Sequence, residues 1–188
     1  MERELDLPTL LTSVKTALEH GNQKTALVAL EQSTESLKKA FQQDPSMAVT
    51  GELFQIAAQL SEFALKLAKH FSQTEQTEDE ETALRVRYES VVTAHTYRRN
   101  LVGPALLDWA DCQKRLGKVA EADALYDNVI RDFSRLLGWG PTFDPDWLVA
   151  VQCLERAMSH SSRDFSVLQG RTKLVLQQSE ELRAAQKA

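Results

Sequence analysis

Between Pro8 and Gly21 the apolar residues Leu10, Leu11, Val14, Ala17 and Leu18 recur at three- and four-residue steps, the spacing that lines one side of an α-helix. A second helix follows on Ala26, Leu27, Leu30, Leu37, Ala40 and Phe41. It stops at Asp44-Pro45, where the ring removes a donor and disfavours the helical basin for the residue before it. A third, from Gly51 to Phe71, carries Leu53, Ile56, Ala57, Leu60, Ala64 and Leu67 in a stripe broad enough for neighbours on two sides. The polar run Ser72 to Glu81 has no apolar anchor and predicts an exposed acidic loop before a fourth helix over Thr82 to Asn100.

The second half repeats the pattern. Gly103-Pro104 predicts a break, followed by helices over Ala105 to Leu116 and Val119 to Leu137. A further break falls at Gly138-Trp139-Gly140-Pro141. Asp144-Pro145 opens a seventh helix as cap and first turn, with Trp147, Val151 and Leu154 on its apolar side. The eighth, Asp164 to Ala185, spaces Phe165, Leu168, Val175 and Leu182 for a core and leaves its charges to water, as a terminal capping helix does. The expected fold is therefore all-α: about eight helices stacked as antiparallel pairs, with Leu60, Trp109, Ala122, Tyr126, Trp147 and Val151 in the core.

Composition narrows this picture. At 188 residues one domain is expected, and seven Gly and five Pro are too few for many strands joined by tight turns. The formal net charge of -5 offers no general attraction to a polyanion, so a nucleic-acid partner is disfavoured. Two cysteines, Cys112 and Cys153, suit buried thiols in a reducing compartment better than a disulfide staple. The opening MERELDLPTLLTSVK shows no leader pattern and the most apolar window, Leu53 to Leu67, is broken by polar residues. A cytoplasmic protein without a membrane span is expected.

One helix pair carries a family resemblance. Leu106, Trp109 and Ala110 on its first helix, a turn at Gly117, and Ala122, Tyr126 and Val129 on its second resemble the tetratricopeptide repeat. Gln113 stands where that motif has an aromatic and Ser134 where it has a closing proline; the N-terminal pair is similar through Leu10, Val14, Gly21, Ala26 and Leu30. The resemblance implies a right-handed α-α superhelix whose first helices form a concave surface for a peptide or protein segment. On that surface it places Leu107, Asp111 and Lys114, with Arg115 at the edge. Asp111 sits where carboxylate-clamping grooves use an amide donor, so a peptide carboxy-terminus is not the expected ligand.

Candidate chemistry is sparse. His20 and His70 lie at helix ends, His95 lies within the fourth helix and His160 beside a serine-rich turn; no pair has metal-ligand spacing. Asp108 and Asp111 form the acidic pair beside an aromatic residue, read as a solvated face with Lys114 and Arg115. There is no phosphate loop, nucleophile elbow or paired-cysteine motif, so neither cofactor nor metal nor catalytic residue is assigned. Trp139, outside any periodic helix, is either a plug between helix pairs or a binding anchor. The sequence favours a non-enzymatic interaction scaffold, with a helical enzyme or a nucleic-acid-associated regulator as alternatives.

Overall fold

A tight turn needs a residue in the left-handed region, and Gly21 (φ 69°) and Gly117 (φ 78°) supply it. After each, two amides close the preceding helix: Gly21 N–H donates to Leu18 O and Asn22 N–H to Ala17 O, as Gly117 N–H donates to Lys114 O and Lys118 N–H to Gln113 O. These turns join α1 (Leu7–Glu19) to α2 (Gln23–Gln43), and α5 (Arg99–Arg115) to α6 (Val119–Phe133). The structure, a computed structural model, describes residues 7–43, 51–95, 99–140, 142 and 144–185, the side chains of Gln43, His95 and Trp139 excepted.

The expected acidic loop is not there. α3 runs Glu52–Gln73 and α4 begins at Thr77 and ends at His95, so most of the run is helical. The turn between them follows the pattern of the glycine turns, with Glu75 (φ 57°) in the left-handed position and Gln76 N–H donating to Phe71 O. Glu78, Asp79 and Glu80 then fall in the first turn of α4, where negative charge meets the exposed N–H ends of the helix. Glu80 is buried.

The predicted break at Gly103-Pro104 is also absent, because both residues lie inside α5. Proline normally expels its predecessor from the helical basin by colliding with that residue's Cβ, and Gly103 has none. The same missing Cβ admits two neighbours: a Cβ built at Gly103 would lie 2.7 Å from Phe133 Cε2 and 3.1 Å from Cys153 Sγ. At the Gly138–Pro141 break the chain forms a 3-10 helix, Ser134–Trp139, ending on Gly140 with φ 76°.

α7 (Pro145–His160) starts as expected: the Asp144 carboxylate accepts from Asp146 N–H and Pro145 occupies the first turn. α8 (Ser166–Ala185) closes the described chain. No strand occurs among the described residues.

Where length suggests one domain, the helices divide into two compact units, Met1–Thr96 and Tyr97–Ala188. In the first, α1 pairs with α2 and α3 with α4, and α2 packs on both α3 and α4. Its core includes Leu30, Leu37, Leu60, Leu67 and Phe71. Residues of α2 meet α4 at nearly constant sequence separation, 51 to 56 residues, so the two helices run parallel. In the second unit α7 packs on both α5 and α6, and α8 on α7. Ala110, Ala122, Tyr126, Val151 and Leu154 are fully enclosed and Trp147 nearly so; Trp109, expected in the core, is half-buried.

Candidate functional site

Small residues set the spacing of the second unit. Ala110 and Ala122 are fully buried, which lets α5 and α6 approach closely, and Tyr126 of α6 is enclosed with its hydroxyl directed at α5. α7 lies along α5 in the same direction, because the polar pairs Asn100–Asp146, Lys114–His160, Asp108–Arg156, Asp111–Arg156 and Asp111–His160 keep a separation of 45 to 49 residues. The result is a polar seam: Asn100 Nδ2 donates to Asp146, Arg156 to Asp108 and Asp111, and Lys114 Nζ to the His160 carbonyl.

Asp111 is the hub. Its Oδ1 accepts from the Tyr126 hydroxyl at 2.5 Å and from His160 Nδ1 at 2.7 Å, and its Oδ2 takes Arg156 at 2.5 Å. Burial opposes ionisation of this carboxyl, but the three hydrogen bonds and the Arg156 charge together outweigh it and hold its pKa below the usual range. An ionised carboxylate only accepts, so Nδ1 of His160 carries the hydrogen. The phenol of Tyr126 is pushed far above its ordinary value, by burial first, by its hydrogen bond to Asp111 next and then by the Asp111 charge, and stays protonated. The Tyr126 and His160 rings meet edge to face, with centroids 6.2 Å apart.

Beyond His160 the chain is fastened to α6. Asp123 accepts from Ser162 N–H at 2.9 Å and from the hydroxyls of Ser161 and Ser162, contacts that keep its pKa low. Arg163 pairs with Asp127 at 2.6 Å. The serine-rich turn between α7 and α8 is thus latched onto α6.

The sequence-selected residues part company here. Leu107 is fully buried and forms no part of an exposed face: on this side of α5 its apolar chain packs inward, where a surface position was expected. Asp111 is three-quarters buried in its side chain and engaged within the molecule. Lys114 and Arg115 are exposed at the end of α5. Trp139 lies in the 3-10 helix, its side chain outside the described residues, as is that of His95. Arg156 and His160 are the residues sequence reading did not connect to the site. Their only signal was their position on the last two turns of an amphipathic helix, which says nothing of a partner 45 or 49 residues away.

Chemically the cluster is closed on itself. An aspartate orienting a histidine is half of an acid–base device, yet such a device needs a nucleophile or substrate beside the second ring nitrogen. Burial pushes the Cys153 thiol up to about 11, which keeps it protonated and unreactive at neutral pH. Among the described residues no group of histidine, cysteine and carboxylate side chains could hold a metal ion, and no helix is long and apolar enough to cross a membrane. In the first unit a groove of about 640 Å³ runs along α1, where Thr12 and Ser13 donate to carbonyls of their own helix. The corresponding seam between α2 and α4 is likewise internally paired, with Arg85 on Glu31 and Glu89 and Lys38 on Glu35 and Glu89. The chain matches no protein-family model, no curated protein and no solved structure.

Proposed function

We propose that this chain is a non-enzymatic interaction module of tetratricopeptide-like helix pairs, and that the face formed by α5 and α7 receives a protein or peptide segment. The observation that carries the reading is the locking of Asp111 by Tyr126, Arg156 and His160. Those bonds tie three helices together before any partner arrives, so a segment laid on the face meets side chains whose ordering entropy is already spent. They also pair the acid within the fold, and Lys114, with its Nζ on the His160 carbonyl, and Arg115 stand exposed at the rim. A segment bearing carboxylates complements that rim.

The test is affinity capture followed by titration of the recovered partner with purified protein. Lys114→Glu with Arg115→Glu is expected to weaken binding about tenfold or more, and to steepen the loss at low salt, with unchanged circular dichroism. Undiminished affinity in the folded variant places recognition elsewhere. An enzyme remains the second reading because of the Asp111–His160 pair; a His160→Gln variant that abolishes a turnover while binding persists would establish it.

A further inference from the structure

The α1–α2 and α3–α4 pairs are joined closely on one side only. α2 packs on both α3 and α4, with the Thr34 and Ser90 hydroxyls hydrogen-bonded at 3.1 Å, whereas α1 rests on α2 and only grazes α3. A cleft of about 400 Å³ opens between α1 and α3, within the ~300–1,000 Å³ of small-ligand sites. Helical spacing sends one stripe from each helix into it: Lys15, Leu18 and Glu19 from α1, and Phe63, Lys66 and His70 from α3, each at three- and four-residue steps. Gln23, the first residue of α2, completes the lining. Leu18 and Phe63 are half-buried, so the cleft keeps apolar surface open to a ligand.

Each wall supplies a cation. Lys66 Nζ lies 5.8 Å from the centre of the Phe63 ring, which sets its charge over the apolar surface. Lys15 is 4.0 Å from Glu19, the outer limit of an ion pair, and Lys66 is 2.8 Å from Glu62, which does not line the cleft. All four side chains are at least 60% exposed, so these pairs are worth little and either lysine turns to another acid at small cost. Against the two lysines the lining holds one carboxylate, Glu19. We propose that the cleft binds a small organic anion with a flat apolar body, an aromatic carboxylate or sulfonate. The body lies against Leu18 and Phe63, and the anionic group sits between Lys15 and Lys66.

The probe is anilinonaphthalene sulfonate, which has one such body and one such charge. It is titrated into the full chain beside phenylnaphthylamine, the same body without the charge, and amide chemical shifts locate each. Saturable binding of the anion is expected, with shifts gathered on residues 15–23 and 63–70. Lys15→Gln with Lys66→Gln weakens the anion about tenfold and leaves the neutral probe unmoved, while Glu19→Gln tightens the anion about twofold or more. All three positions are exposed, so the substitutions spare the fold. Shifts centred elsewhere, or no saturable binding, overturn the proposal. A double variant that loses both probes equally, or a Glu19→Gln variant that fails to tighten the anion, overturns it as well, because the charges then do not select the ligand. None of these results depends on the α5–α7 face.

Discussion

Replacing Asp111 with alanine removes the hub and leaves its partners in unequal positions. The Tyr126 hydroxyl is enclosed and loses its acceptor, which costs about 1–3 kcal/mol. Arg156 keeps Asp108 at 3.0 Å, and the His160 side chain, 43% exposed, turns to water, so those losses are small. Alanine's better helix propensity returns about 0.5 kcal/mol. The net expectation is about 2 kcal/mol, a fall of about 1 M in the urea midpoint at ordinary denaturant slopes. All three tryptophans, Trp109, Trp139 and Trp147, belong to the second unit, so tryptophan fluorescence follows that unit's unfolding. Tyr126→Phe removes the orphaned hydroxyl in advance, and the double variant should therefore cost less than the sum of the singles by about 1 kcal/mol. The pH dependence has a definite sign: the folded pKa is lowered, so the Asp111 contribution is complete above the ordinary carboxylate pKa of about 4 and disappears as pH falls through the folded value. The wild-type advantage over Asp111→Ala should be level from neutrality to mild acid and shrink below it. A loss under about 0.5 kcal/mol, or strict additivity with Tyr126→Phe, refutes the hub.

Three other substitutions test the fold. Gly103→Ala sets a Cβ against the Phe133 ring at 2.7 Å, and overpacking of about 1–3 kcal/mol outweighs the propensity gain of about 1, so tryptophan-detected unfolding moves to lower urea. Glu75→Gly relieves a left-handed residue in the α3–α4 turn and should raise the stability of the first unit by about 0.5–1 kcal/mol, seen as a higher urea midpoint in far-ultraviolet dichroism. Asp144→Ala deletes the cap on Asp146 N–H and should cost about 1 kcal/mol, with faster amide exchange confined to the first turn of α7.

How much of this was legible depended on the reach of the rule involved. Helical periodicity acts over three or four residues, and it located all eight helices, the Gly21 and Gly117 turns and the Asp144 cap. The α3–α4 turn escaped because Glu75 takes the left-handed place that glycine usually announces. Gly103-Pro104 in isolation marks a break; only Phe133 and Cys153, close against the glycine, make it a contact point within a helix. Likewise the spacing of α8 named Leu182 as core, but whether a stripe is covered depends on the neighbour, and α7 took the side of Thr172, Val175 and Ser179. Asp111 and His160 were each visible as residues and invisible as a pair. Their bond spans 49 positions, and no pattern confined to one helix carries the lateral placement of the next; that placement was decided by how Ala110, Ala122 and their apolar neighbours pack, which is a property of the assembled unit.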